Sequence, residues 1–334
     1  MCAAGLKALR RIQLAKEITH GTAVSTATAR LIGTLSMKED HKYYRPNDLE
    51  TGKLSDYERS YIISEEMSGA FESDVNFEQL GYLLAMSIKG GVAPTGPTDS
   101  AYLWTFKPNL TAANDPNSYT MQYGDDAQAF IAAYCFAKDL EISGTMEEVL
   151  KVKANLAGQN MRAGSFTSLS NPTVLTPVSM AAGKLFVDSS WANLGNTNVT
   201  GTLVDFIYKV SPGIIPIKYA DGAIHFTDRA EKKRHVEAEV TFAFTSGVAG
   251  YYTDYIAAPQ THKFIRLEFT GPKIGATTGY DKLQLDGSFV IDDFSTLAER
   301  EGQDVVKLKL LSEYDSTGTS EWQILLTNAL SALP

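Results

Sequence analysis

The sequence predicts a mainly β protein with minor helix, organised as two tandem β-barrel or β-sandwich domains that each carry a flanking helix. Strand-like runs dominate the chain, and residues 235–245 alternate apolar and polar side chains as a half-buried antiparallel strand does. The same order of elements also occurs twice, because the strand-like runs 61–71 and 235–245 each precede a helix-like stretch and further strands. This repetition indicates a duplicated β unit, although two β-rich segments can share an order by chance.

The first elements are an arm and a strand. Residues 1–30, rich in small residues and threonines towards their end, are predicted to form an extended N-terminal arm, and residues 29–37 a first strand. Residues 38–59 are polar and too long for a tight turn, so they predict a projecting loop or a long hairpin tip. Its aromatic and neighbouring residues favour contact with another molecule; they are Tyr43, Tyr44, Arg45 and Pro46.

Residues 77–88 give the clearest helix prediction, because apolar residues recur there on one helical face. These residues are Phe77, Leu80, Leu84 and Ile88. Asn76 can cap the helix, and Gly90 and Gly91 can end it. The corresponding stretch of the second half, residues 248–256, is a weaker helix prediction because glycine interrupts it.

The remaining strand predictions complete two similar units. They cover residues 128–144 and 149–158 in the first half, and 203–210, 263–270, 282–292 and 305–315 in the second. A polar stretch with Gly and Pro and no periodicity separates the halves. The predicted domains are therefore residues 31–160 and 181–334, joined by a linker at residues 161–180.

Charge is unevenly distributed along the 334 residues, whose net charge is -9. The first 36 residues carry five basic side chains against Glu17 alone, so the predicted arm is basic and the body acidic. Such an arm could dock onto a neighbouring copy, or it could be a solvated terminus. The candidate contact residues in the arm are Lys7, Arg10, Arg11 and Lys16.

Composition excludes several classes of function. No apolar run is long enough for a membrane span, and two cysteines form no disulfide framework, which suits a reducing cytosol. An acidic body is unlike a tight nucleic-acid binder, which needs clustered Lys and Arg.

Motifs for chemistry are equally few. Gly124, Asp125 and Asp126 resemble a metal-binding turn by their letters, but turn formation is the commoner role. Cys135 lies in an apolar run and is predicted to be a small core residue. No histidine has the spacing of a zinc site, and no nucleophile elbow or phosphate loop is present. The sequence predicts no enzyme, cofactor or metal site, although a glycosidase can carry two acids without a motif.

Several segments resemble the tail tube proteins (major tail proteins) of long-tailed bacteriophages. Residues 135–144 read Cys-Phe-Ala-Lys-Asp-Leu-Glu-Ile-Ser-Gly, and residues 149–158 read Val-Leu-Lys-Val-Lys-Ala-Asn-Leu-Ala-Gly. Residues 119–126 (Tyr-Thr-Met-Gln-Tyr-Gly-Asp-Asp) are similar to the strand that precedes this strand pair in the family. Residues 21–24 (Gly-Thr-Ala-Val) and 29–33 (Ala-Arg-Leu-Ile-Gly) are similar to the family's N-terminal segment. The resemblance covers the first half by residues and the second half mainly by the order of elements.

The resemblance implies a virion protein of the phage tail, assembled in the host cytoplasm. This chain is about twice the size of a common single-barrel subunit, so three chains with two barrels each would replace a ring of six. The implied partners are other copies in the ring and in stacked rings, the tape measure protein, and the tail terminator and distal tail proteins. Viral DNA would pass through the lumen without tight binding, with no membrane partner and no cofactor. The alternatives are another phage structural protein (capsid decoration or tail completion) and a β-barrel ligand-binding or carbohydrate-binding protein.

Overall fold

The structure is a computed structural model that describes residues 6–46, 53–54, 57, 59–172 and 175–333. Over these residues the chain is mainly β, with antiparallel strand pairing and two α-helices. The elements of the first half are β1 Arg11–Lys16, β2 Ala29–Leu31, β3 Thr34–Tyr44, β4 Tyr61–Asp74, α1 Leu80–Ser87, β5 Thr95–Thr98, β6 Ala101–Phe106, β7 Tyr119–Gly124, β8 Ala129–Thr145, β9 Lys151–Gly158 and β10 Met161–Gly164. Those of the second half are β11 Gly183–Asp188, β12 Leu203–Ser211, β13 Ile214–Ile217, β14 Asp228–Glu231, β15 His235–Ala243, α2 Ser246–Tyr255, β16 Lys263–Lys273, β17 Tyr280–Phe294, β18 Ala298–Arg300, β19 Gln303–Ser312 and β20 Trp322–Asn328.

One continuous antiparallel sheet, here called the central sheet, runs through both halves. Its strand order is β3-β4-β9-β8-β12-β15-β19-β17. Burial alternates along its strands, as in β9, where Val152 and Ala154 are buried while Lys151 and Lys153 are exposed. One face of the central sheet therefore covers the apolar core, and the other face is polar.

Two flanking sheets complete the architecture. The first has the order β2-β1-β7-β8-β10, and the second has the order β11-β16-β17-β20-β6-β5. The long strands β8 and β17 each belong to a flanking sheet through their first residues and to the central sheet through their last. A large apolar cluster, which includes Leu14, Leu84, Phe206 and Leu285, fills the space between the sheets.

The two halves repeat the same pattern of strand pairing. In the central sheet β3-β4-β9-β8 corresponds to β12-β15-β19-β17, and in the flanking sheets β1-β7-β8-β10 corresponds to β11-β16-β17-β20. The register shifts at matching places, between Ala137 and Asp139 in β8 and between Ile291 and Asp293 in β17. The predicted repetition of elements is thus present as strand order, while the division into two domains stays a prediction.

Two sequence expectations need correction, and a third is made more definite. Residues 1–30 are not an extended arm throughout, because Arg11–Lys16 forms β1, paired with both β2 and β7, and Leu14 is fully buried. The predicted linker, residues 161–180, contributes β10 to the first flanking sheet. Residues 38–59 were predicted to form a projecting loop or a long hairpin tip. The structure has the hairpin, in which β3 extends to Tyr44 and β4 begins at Tyr61, and much of the tip lies outside the described residues.

The two helices lie where the sequence predicted them. α1 is shorter than predicted and begins after Gln79, whose backbone N–H donates to Asn76 Oδ1 at 2.8 Å. α2 begins after Thr245, whose hydroxyl accepts a hydrogen bond from Val248 N at 3.4 Å. In both halves the helix follows the second strand of the central-sheet unit and contacts the long strand, β8 or β17.

Candidate assembly interface

The two halves join through a direct strand pairing, here called the internal joint. β12 lies antiparallel beside the end of β8, with Val210 opposite Leu140 and Asp205 opposite Thr145. Leu140 and Val210 are fully buried, so the joint has an apolar layer on the core side. Because β8 belongs to the first half and β12 to the second, this pairing shows how one unit can attach to the next.

A row of alternating charges crosses the internal joint on the polar face of the central sheet. Adjacent strands place Glu72, Lys153, Glu141, Lys209 and Glu237 opposite one another in that order. Lys153 Nζ lies 3.7 Å from Glu72 Oε1. Opposite charges on neighbouring strands favour this register, whereas like charges in direct opposition would oppose it. The row therefore presents a polar surface on which acids and bases alternate.

A second contact between the halves is made by residues 212–234, here called the bent hairpin. The chain turns at Gly213, which has φ +71° and where an added Cβ would lie 2.7 Å from the Lys233 carbonyl oxygen. β13 and β14 then form a separate two-stranded sheet. The turn thus requires glycine, and it directs the hairpin onto the first half.

An aromatic cluster anchors the bent hairpin. Phe226 is fully buried, and its ring centroid lies 5.2 Å from that of Tyr134 and 5.9 Å from that of Phe136. Ile214 and Ala157 complete this cluster, which is separate from the main core. The side chains come from β8 and β9 on one side and from the bent hairpin on the other, so burial of these residues holds the halves together.

Polar contacts surround the aromatic cluster. Arg229 has a side chain only 5% exposed, and its Nη2 donates to Asp115 Oδ1 at 2.7 Å. Glu231 accepts hydrogen bonds from the backbone N–H groups of Asn114 and Asp115, both at 2.9 Å. Burial opposes ionisation of Asp115, but the hydrogen bond from Arg229 and the nearby positive charge hold its pKa below the usual value.

The central sheet has two edges without a strand partner, although Gln260 Nε2 donates to the Ile291 carbonyl oxygen of β17 at 3.0 Å. Within the described part of the chain, β3 pairs with β4 alone, and β17 beyond Phe289 pairs with β19 alone. In the repeat, β3 corresponds to β12 and β17 corresponds to β8, which are the two strands of the internal joint. An uncovered strand edge presents unpaired backbone groups to another chain.

The predicted contact residues fall into two separate places. Lys7, Arg10, Arg11 and Lys16 lie on or just before β1, in the first flanking sheet. Arg10 donates to the Tyr123 hydroxyl at 3.3 Å, and the Arg11 guanidinium lies 5.5 Å from the centre of the Phe166 ring. The structure therefore does not bring this basic segment to an edge of the central sheet.

The aromatic segment that the sequence singled out lies at the end of β3. Tyr43 is 47% exposed and Tyr44 is 54% exposed. Arg45 lies over the Tyr43 and Tyr57 rings, 5.6 Å and 5.9 Å from their centres, and Pro46 follows it. Tyr43 and Tyr44 thus lie exposed at the end of a strand that pairs on one side alone among the described residues.

Other polar groups have structural partners. The ligand atoms of Glu39, His41 and Glu65 lie within 4.8 Å of one another, but the Arg162 guanidinium already binds both carboxylates. Asp125 Oδ1 accepts hydrogen bonds from two backbone N–H groups of its own turn, as turn chemistry predicts. These contacts give both groups a role in holding the fold.

Cys135 is fully buried, which confirms its predicted place in the core. Burial raises the pKa of its thiol and suppresses the reactive thiolate.

Sequence reasoning missed the bent hairpin and its anchors, Phe226 and Arg229. The adjacent Pro212 and Gly213 were the available signal, because this pair typically marks a change of chain direction.

No model of a known protein family matches the chain, and no curated protein matches it. Among the described residues, the structure has no helix that is both long and apolar enough to cross a membrane.

Proposed function

We propose that this protein is a structural virion protein whose chains close into rings of three, and whose rings stack into the hollow tail tube of a long-tailed bacteriophage. The observation that carries this proposal is the internal joint together with the two uncovered edges. The chain already attaches one unit to the next through the β8–β12 pairing, and it leaves the corresponding strands, β17 and β3, available at its two ends.

Copies of the internal joint between chains would generate a ring. In the internal joint Val210 lies opposite Leu140. The matching registers make Glu39 the counterpart of Val210 and Phe294 the counterpart of Leu140. A joint between chains would therefore pair Glu39 of one chain with Phe294 of its neighbour. Such head-to-tail contacts close into a ring when the rotation between units allows it. Six units around the axis would be supplied by three chains, as the resemblance to tail tube proteins implies.

The polar face of the central sheet suits a lumen through which DNA slides. Lysines on this face have acidic partners, as Lys307 has Glu239 and Lys309 has Asp292. A lysine with an acidic neighbour attracts a phosphate less strongly than an isolated lysine does, so strong binding of the DNA backbone is avoided. Viral DNA is accordingly proposed as cargo, and the tape measure, tail terminator and distal tail proteins as the other partners.

Negative-stain electron microscopy and native mass spectrometry of the purified protein test the proposal. We expect rings of three chains and long hollow tubes at high protein concentration. Ser36→Pro on the uncovered edge of β3 should abolish rings, because proline removes a backbone donor. Ala163→Pro on β10, another strand at the edge of its sheet, is the matched control, and circular dichroism checks the folding of both variants.

The rival functions give different results. A decoration or tail-completion protein would form no long polymers, and a β-barrel binding protein would remain monomeric with a deep pocket. A strictly monomeric particle at all concentrations, or a closed ring of six chains, would contradict the proposed trimer. The contacts of Lys7, Arg10, Arg11 and Lys16 with a neighbour stay a prediction of the same kind.

A further inference from the structure

The bent hairpin has a counterpart in the first half that adopts a different position. Matching registers relate Tyr43, opposite Ile62, to Ile214, opposite Glu231. In the first half, β3 and β4 remain paired as far as Tyr44 and Tyr61, whereas the second-half hairpin turns at Gly213 and packs on the preceding unit. The same element is thus seen both docked and undocked in one chain.

The exposure of the two equivalent residues follows this difference. Ile214 is 4% exposed because it packs with Phe136 and Ala157 of the preceding unit, while Tyr43 is 47% exposed. Among the described residues, no other unit of this kind precedes the first one. Its large apolar side chain therefore lacks the cover that its counterpart has.

The surface that would supply this cover is present on the second half. The registers relate Phe136 to Val290 and Ala157 to Leu311. Ala157 is fully buried under the bent hairpin, whereas its counterpart Leu311 is 36% exposed; Val290, the counterpart of Phe136, is 8% exposed. Ile214 and Ala157 are buried together within the chain. Their counterparts, Tyr43 and Leu311, are both exposed apolar residues.

A chain cannot bring its own two surfaces together. β3 is the first strand of the central sheet, and β19, which carries Leu311, lies six strand positions away. At about 4.8 Å per position this separation is roughly 29 Å. In the proposed ring, a second copy of this chain is the occupant of the Leu311 surface.

We propose that Tyr43 of one chain packs against Leu311 and Val290 of its neighbour in the same ring, as Ile214 packs against Ala157 and Phe136 within the chain. This inference rests on the proposed ring, since it needs β3 of one copy beside β17 of the next. It assigns the hairpin of β3 and β4 a contact within the ring, in addition to any contact between stacked rings.

Cysteine cross-linking tests the contact. The double variant Tyr43→Cys with Leu311→Cys is made in a Cys2→Ser background, where Cys135 is buried and does not compete. Under mild oxidation we expect disulfide-linked dimers and trimers on a denaturing gel. Tyr44→Cys with Leu311→Cys is the matched control, because neighbouring residues of a strand point to opposite faces. The control pair should cross-link at least about tenfold less.

Ring formation is measured on the same samples by native mass spectrometry, so the two proposals fail separately. Rings without the Tyr43–Leu311 cross-link would overturn this inference and leave the proposed function standing. Absence of any ring from the unmodified chain would overturn both.

A substitution series gives a second readout. Tyr43→Ser should weaken ring association by about ten- to a hundredfold, because burial of one large apolar side chain contributes that much to affinity. Tyr43→Ile, the residue present at the docked position, should restore most of it. Equal ring affinity in all three proteins would show that Tyr43 remains outside the joint.

Discussion

Phe226→Ala tests whether the bent hairpin is a firm part of the fold. Phe226 is fully buried, and two other aromatic rings lie within 6 Å of its centre. Replacing a buried phenylalanine by alanine usually lowers the free energy of unfolding by about 3–5 kcal/mol, since it removes apolar burial and leaves a cavity. The aromatic pairs add about 0.5–1.5 kcal/mol each in favourable geometry.

Local detachment sets an upper limit on this loss. If the hairpin leaves the first half in the variant, the cavity disappears and the measured loss equals the free energy of docking. Gln159 Nε2, which donates to the Phe226 carbonyl oxygen at 2.9 Å, would then bind water instead. We therefore expect a loss of about 2–4 kcal/mol, together with new proteolytic cleavage within residues 212–234.

Urea unfolding followed by fluorescence, with limited proteolysis, provides the assay. Phe244→Ala is the matched control, because Phe244 is 38% exposed and its removal should change stability by about 1 kcal/mol or less. If the two variants lose the same free energy and residues 212–234 stay protected, the reasoning that Phe226 anchors the hairpin is refuted.

Three further predictions concern buried or hydrogen-bonded charges, and a fourth concerns β1. Arg266→Ala removes the paired charge and two of the three hydrogen bonds of the buried Asp286 carboxylate, those of 2.7 and 2.8 Å, and leaves only the one from Gln323 Nε2. It should lower the free energy of unfolding in urea by about 3–5 kcal/mol. Asp99 accepts four backbone N–H groups of the β16–β17 turn, which hold its pKa below the usual value. Its stabilisation is complete at neutral pH and is lost as the pH falls through that lowered pKa, so Asp99→Ala should flatten the acid limb of a stability–pH curve. Burial raises the pKa of Asp281 to about 6, so stability should fall as pH rises from about 4 to about 6, and Asp281→Asn should remove that fall. Leu14→Ala should cost about 2–5 kcal/mol, because Leu14 is fully buried in β1.

Simple outcomes would contradict these four expectations. They are an Arg266→Ala variant as stable as the parent, an unchanged acid limb for Asp99→Ala, a pH dependence that persists in Asp281→Asn, and a Leu14→Ala loss below about 1 kcal/mol. The last result would restore the interpretation of residues 11–16 as part of a loosely held arm.

The strands of the central sheet were predictable because one face of each is buried and the other is polar. In β15, Val236, Ala238 and Val240 are buried and the residues between them are half-buried, so the period of two was visible in the sequence. In β1 the four consecutive residues from Ile12 to Ala15 are all buried, so apolar and polar residues do not alternate there. The basic residues that flank this strand suggested an arm instead. Burial on both faces removes the local signal that predicts a strand.

The contacts between the halves could not be predicted from local patterns. Arg229 and Asp115 are far apart in the sequence, and nothing in either neighbourhood points to the other. In contrast, the ends of the repeated strands are indicated by residues that lie at those ends. A sequence thus indicates which segments form strands more readily than it indicates which side chains meet across a sheet.

A difference of one residue explains why equivalent hairpins adopt two positions. The registers relate Gly213, with φ +71°, to Lys42 in the first half. Lysine strongly disfavours that backbone region, so β3 continues beside β4 to Tyr44. The second hairpin can bend because glycine is present, and its bend is held by a unit that is always in the same chain. In the proposed ring the first hairpin meets a unit of another chain, and its exposed edge strand is available for that contact until the neighbour binds.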